Sequence, residues 1–156
     1  MSQSRVMKAS GSAVGLRVYL FIWGSLLIVL GVGSLIIHPD FAVGDHVSGR
    51  PLFGVLETNG WHGLAGGSLG VLAVYSAYTR RWMTVVGLVV AVVGGIVAAV
   101  IFLVSGDESS ALGLIPVDAI DAFTLHLLPG VVGLACLTAS RVRGSGEPPA
   151  PTRVDG

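Results

Sequence analysis

Charge is what this sequence has least of. Only 12% of its 156 residues are Asp, Glu, Lys or Arg, against about 25% in an ordinary soluble domain. Hydrophobic residues make up 53% and the mean hydropathy is +0.82, so a domain with a fully solvated surface is excluded. The formal net charge is zero, and no bulk field favours nucleic acid or acidic partners. Cysteine is nearly absent. Cys136 alone permits neither an internal disulfide nor a thiolate metal cluster. A small apolar residue inside a helix is the preferred reading of it, ahead of a lipid attachment point near a membrane edge. No nucleophile elbow, phosphate-cradling loop or metalloprotease motif is present. Ser34, Ser68 and Ser76 stand among apolar residues, where serine ordinarily packs helices. Enzyme chemistry and a bound cofactor are therefore not expected. Lys8 is the only lysine beside eight arginines, and Ala, Gly and Val dominate, which points to a GC-rich bacterial genome.

What the chain does have is long apolar runs. A membrane-crossing helix needs about 20 predominantly apolar residues, and four stretches qualify: about 16–37, 58–78, 83–104 and 119–139. The first run is too long for the apolar region of a signal peptide, and His38, Pro39 and Asp40 follow it instead of a small-residue cleavage site. It reads as an anchor. The third is apolar all the way round, as a lipid-embedded helix is. The second is glycine-rich, and the fourth holds Asp121, His126 and Pro129. Both suit a bundle in which polar residues face inward, and Pro129 should kink the fourth, freeing a carbonyl near Leu125. Residues 15–143 thus form one transmembrane domain, flanked by Ser-, Gly-, Pro- and charge-rich tails over 1–14 and 144–156 that read as disordered.

Eight of the nine basic residues fall at one end of these spans, and only Arg50 lies opposite. Tyr19, Trp23, Tyr75, Tyr78 and Trp82 gather near that same edge, as an aromatic belt does. The positive-inside rule predicts cytoplasmic termini and two outward loops, about 38–57 and 105–118, in a bacterial plasma membrane.

The halves resemble each other. Gly24 and Gly31 are seven apart, as are Gly87 and Gly94. LFGVLETNGWHG from Leu52 lies over ALGLIPVDAIDA from Ala111, matching Gly54 with Gly113, Asn59 with Asp118 and His62 with Asp121. Each unit holds two spans, so the copies share one orientation about an axis along the membrane normal. The expected fold is an all-α membrane protein: two tandem two-helix repeats forming a pseudo-twofold four-helix bundle. Asn59 and Asp118 suit helix N-caps. Gly63 with Gly67, and Gly66 with Gly70, give overlapping G-x-x-x-G spacings, and Gly87, Ala91 and Gly95 share one face of the third span. Such patterns let helix backbones approach closely. Packing within the bundle is the favoured reading, and self-association is the second.

NGWHGLAGGSLG and GLIPVDAIDAFTLHLLPG, each following a long apolar helix, resemble the actinobacterial four-span membrane proteins grouped as domain-of-unknown-function 4383. The resemblance covers about Arg17 to Ala139. It implies Asn, two residues, His, then Asn at the first junction, with a second His one turn on. At the second it implies Asn, two residues, Asp, then a His about a turn later, then Gly. Here Asn59, His62, Gly70, Asp121, His126 and Gly130 match, while Gly63 and Gly66 replace the Asn and the second His. Asp118 stands for Asn, and one extra residue separates Asp121 from His126. The resemblance implies architecture and no mechanism.

The candidate site is therefore a polar cluster of His62, Asp121 and His126, with Asn59 and Asp118 beside it. Ionisable groups inside a membrane are costly and are a functional hypothesis by default. The preferred reading is structural: hydrogen bonds and one ion pair fixing helix register. A second reading is a divalent-metal site completed by His38, Asp40 or Asp118. It lacks a paired-histidine spacing, and Asp121 and His126, five apart, diverge by about 140° on an α-helix. A third is a proton relay or gate for a small substrate in an oligomer. The expected role is a non-catalytic structural or accessory component, a homo-oligomer or part of a membrane complex, with metal or proton binding as the alternative.

Overall fold

A computed structural model describes residues 3–54, 56–105, 110–116 and 119–144. The four apolar stretches are helical. Helix α1 spans Gln3–Ile37. A single 3-10 turn at Gly44–His46 leads to strands β1 (Arg50–Leu52) and β2 (Leu56–Thr58). Helix α2 spans Gly60–Thr79, and α3 spans Met83–Ser105. Strands β3 (Ser110–Ala111) and β4 (Ile115–Pro116) precede α4, which runs over residues 119–144.

Three of these helices have stretches long and apolar enough to cross a membrane: Val14–Ile37, Met83–Ser105 and Ala122–Arg141. Helix α2 matches them in length, but His62 and its glycines lower its apolarity. The outer faces carry apolar side chains in the open, among them Ile22, Ile36, Val71 and Val104. A water-soluble fold would bury them, and a bilayer solvates them. Residues 3–14, expected as a tail without structure, continue α1 upstream of its span. They hold no proline and include Arg5, Met7, Lys8 and Ala9, so an already nucleated helix propagates through them at little cost. The expected tail beyond residue 144 lies outside the described residues.

Neither loop was expected to contain strands. Each holds an antiparallel hairpin, pairing Leu52 with Leu56 and Ala111 with Ile115. The turns match in geometry as well as position. Phe53 and Gly54 have φ of 54° and 78°, and Leu112 and Gly113 have 55° and 65°, the two successive positive values of a type I′ turn. The Leu114 N–H donates to the Ala111 carbonyl at 3.1 Å and closes the second turn. The dipeptides Phe-Gly and Leu-Gly supply glycine only at the second turn position, so the usual Asn-Gly signal is missing.

Glycine sets the helix spacing. A Cβ on Gly31 would lie 2.7 Å from the Gly63 carbonyl oxygen and from Gly67 Cα, and one on Gly70 would lie 2.6 Å from the Gly24 carbonyl oxygen. Helices α1 and α2 therefore touch backbone to backbone through Gly24, Gly31, Gly63, Gly67 and Gly70. A Cβ on Gly95 would lie 2.5 Å from Gly130 Cα, and one on Gly130 2.8 Å from the Ala91 carbonyl oxygen. Gly87 faces Leu16 and Leu137. This is the close packing expected of small-residue faces. Gly66 is different: a Cβ there meets nothing within 4 Å, because this residue borders a cavity rather than another helix.

One buried cluster, built on Leu16, Tyr19, Leu20, Ala73, Val90 and Leu137, holds the end of the bundle away from the hairpins. A smaller one, Phe102, Ala111 and Ala122, lies beneath them. Helices α3 and α4 each contain an i→i+5 bonded segment, Val89–Val97 and Ala122–Leu127. The second ends two residues before Pro129, whose missing N–H and ring disfavour regular α-helical bonding in the preceding turn.

Candidate functional site

The hairpin end of the bundle is organised by Asn59. Its side-chain oxygen accepts from the His62 N–H at 3.0 Å and caps α2, as the position ahead of Gly60 suggests. Its amide nitrogen donates to the Leu114 carbonyl at 2.7 Å, so one fully buried side chain links the two hairpin regions. The Gly44 N–H donates to the Gly113 carbonyl, and the Gly60 N–H to the Asp40 carbonyl, both at 2.8 Å. Asp118, the expected counterpart of Asn59, lies outside the described residues.

Beneath the hairpins lies a cavity of about 290 Å³. Its wall is mostly aliphatic, with Trp23 and Phe102 as its large rings, and it includes His62, His126, Ser34, Thr58 and Glu57. The two histidines come from the first turn of α2 and the i→i+5 segment of α4. Their rings stack with centroids 5.9 Å apart and planes 19° apart. Phe102 from α3 stands edge-on to both, at 5.0 Å from His126 and 6.3 Å from His62.

The hydrogen bonds around this cavity fix where its protons point. His126 Nδ1 lies 2.7 Å from the Gly94 carbonyl. A carbonyl only accepts, so Nδ1 carries the hydrogen, and Nε2 of the neutral ring keeps a lone pair. Thr58 Oγ1 donates to Ser34 Oγ, and Ser34 Oγ donates to the Leu30 carbonyl at 2.9 Å. Both hydroxyl protons are thus committed. His62 Nδ1 and His126 Nε2 are buried with no hydrogen-bond partner among the described residues. Leaving such a group unsatisfied costs roughly 1–3 kcal/mol.

The expected polar cluster is thus assembled in part. The rings of His62 and His126, two members of that cluster, face each other. Asp121 is fully buried at the start of α4. Among the described residues no three His, Cys, Asp or Glu side chains converge as a metal shell would require. His38 is engaged elsewhere, 3.2 Å from Ser48 Oγ and 3.7 Å from an Asp40 carboxylate oxygen. His46 sits exposed in the 3-10 turn. The histidine pair offers ring stacking, and its two unpartnered ring nitrogens are enclosed by the protein. Of the residues that complete the site, Gly94 is legible only as one of a seven-residue glycine pair, and Phe102, Ser34, Thr58 and Trp23 carry no spacing signal. They are ordinary members of apolar helices and a hairpin until the chain brings them together.

A family model described as Domain of unknown function (DUF4383) matches residues 12–139. That span takes in α1 from residue 12 on, α2, α3, α4 up to residue 139, both hairpins and the whole cavity wall. No curated protein matches, and no solved structure matches.

Proposed function

The chain belongs to the DUF4383 family, and on that footing we propose that it is a four-span protein of the bacterial plasma membrane acting as a non-catalytic structural or accessory component. Helix α2 is the fourth span. Its length equals a bilayer crossing, and its glycines lie against α1 backbone, which offsets its lower apolarity. Both termini are cytoplasmic, by the arginine bias of that end. The chain is two tandem units, each a helix, a hairpin and a helix. The paired type I′ turns at Phe53–Gly54 and Leu112–Gly113 support that reading, since they fall where the two halves align.

One observation carries the functional reading. Four polar side chains within and beside the helices bond to backbone carbonyls of other elements. Arg17 donates to Ala77 at 2.9 Å, Tyr19 to Pro129 at 3.0 Å, Asn59 to Leu114 and His126 to Gly94. Groups held in this way fix helix register and are not free to turn over a substrate. A component of this kind acts through assembly, as a homo-oligomer or within a membrane complex. The test is the mass of the protein extracted into mild detergent at native expression, read by light scattering. A particle heavier than one 16.0 kDa chain plus its detergent is expected, and a monodisperse monomer overturns the assembly role. Metal or proton binding is the alternative; the pairing of His62 with His126 supports it, but no third ligand accompanies them among the described residues.

A further inference from the structure

We propose that the cavity beneath the hairpins seats a single unbranched acyl chain of a membrane phospholipid. Shape is the first reason. The wall follows α1 from Trp23 to Ser34 and α3 from Val89 to Phe102. That stretch of α1 rises about 16 Å, close to the depth of one leaflet, which is half of a hydrocarbon core of about 30 Å. The volume is about 290 Å³. An apolar cavity of about 150 Å³ holds the six carbons of benzene, so this one holds about twice as many. Drawn out along the helix axes, that content is one chain reaching through one leaflet. Two chains side by side exceed it, and a compact ring system leaves its ends empty.

The wall chemistry selects hydrocarbon. Leu27, Leu30, Leu69, Val90 and Val93 make up much of it. Ser34 and Thr58 have donated their hydroxyl protons to the Leu30 carbonyl and to Ser34 Oγ. The unpartnered ring nitrogens of His62 and His126 are enclosed by the protein, and a Glu57 carboxylate oxygen lies beside Gly49 in the hairpin region. A polar solute entering here gives up its hydrogen bonds to water and recovers few of them, whereas an alkyl chain has none to lose. The way in is from the bilayer. Val89 and Val93 line the cavity and are nevertheless 40% and 56% exposed on α3, and Ala65 on α2 is likewise both a wall residue and exposed. The cavity therefore borders the apolar outer surface along α2 and α3. A chain enters sideways there while its headgroup stays in the leaflet on the hairpin side. This inference rests on the placement of α2 and α3 in the bilayer and is independent of the accessory role and of any assembly.

The test releases the full chain from nanodiscs into native mass spectrometry, at an activation that strips loosely held lipid. From dimyristoyl phosphatidylcholine nanodiscs, a single lipid is expected to stay with each chain. Diphytanoyl phosphatidylcholine has the same headgroup on methyl-branched chains, and from it the retained lipid should be lost. Gly66→Leu puts a side chain into the cavity from a position where a Cβ meets nothing within 4 Å, and it should lose the dimyristoyl lipid as well. The branched-lipid comparison uses the unaltered chain and decides the matter where that variant does not fold. Absence of retained lipid overturns the site. Equal retention of the two lipids assigns recognition to the headgroup and overturns the chain selection, and retention unchanged in Gly66→Leu overturns the location. A chain that does not enter nanodiscs at all overturns the membrane placement, and the site with it.

Discussion

Substituting Gly31 by alanine tests whether backbone contact between α1 and α2 is what holds the first helix pair. The new methyl carbon would lie 2.7 Å from the Gly63 carbonyl oxygen and from Gly67 Cα and N. All three atoms are main chain, so no side chain can swing aside. The helices must part until those distances reach at least 3.4 Å, and the parting loosens the neighbouring contacts at Gly24 and Gly70. Overpacking of this kind costs about 1–3 kcal/mol, and the missing escape route puts this case at the upper end. Alanine returns up to about 1 kcal/mol through its better helix propensity. The net expectation is a loss of about 1–2 kcal/mol. Gly66→Ala is the matched control, because its methyl meets nothing within 4 Å while the propensity gain remains. It should be neutral or more stable than wild type by up to about 1 kcal/mol. The assay is reversible unfolding in mixed detergent micelles followed by near-ultraviolet circular dichroism. Gly31→Ala unfolding at or beyond the wild-type midpoint would refute the reasoning, as would equal losses in the two variants.

Two further outcomes follow from the same geometry. Asn59→Ala removes a helix cap and the link to Leu114, for a loss of roughly 2–3 kcal/mol. Asn59→Ser restores the cap alone and should recover about half of that by thermal unfolding; full recovery would assign no weight to the inter-hairpin bond. A periplasm-only reporter enzyme fused after Arg143 should be inactive while a cytoplasmic reporter at the same site is active, and the reverse result would overturn the inferred orientation.

The parts legible in the sequence are those that depend on one residue type or one spacing. The first and third spans declare themselves by unbroken apolarity, and Asn59 by its place just ahead of a helix. The glycine faces are legible too, because a missing side chain has the same effect on any partner. Gly66 exposes the limit of that rule. It shares a G-x-x-x-G spacing with Gly70, yet it points at empty space, since the spacing fixes a helix face and not what lies opposite. The hairpins escaped notice because Phe53 and Leu112 occupy left-handed positions that bulky residues seldom take. The aromatic corner escaped notice because Phe102 is one apolar residue among many in α3. Its neighbours come from α2 and α4, and only the folded chain selects them.

The distance between Asp121 and His126 shows how local geometry overrides a period. On a regular α-helix, residues five apart diverge by about 140°, which counts against a shared face. The intervening residues Ala122–Leu127 bond i→i+5 instead, so each turn takes in an additional residue and the fifth residue returns closer to the line of the first. A widened turn is the means by which a helix absorbs one extra residue without rotating everything downstream. The residues after it keep their faces: Gly130 still packs against Ala91 and Gly95, and the Pro129 carbonyl still receives Tyr19. The widened turn also carries His126 to the Gly94 carbonyl, inside the other i→i+5 segment, Val89–Val97. That contact settles which imidazole nitrogen keeps its hydrogen. The ring nitrogen left without a partner, His126 Nε2, is therefore a consequence of the altered helix geometry.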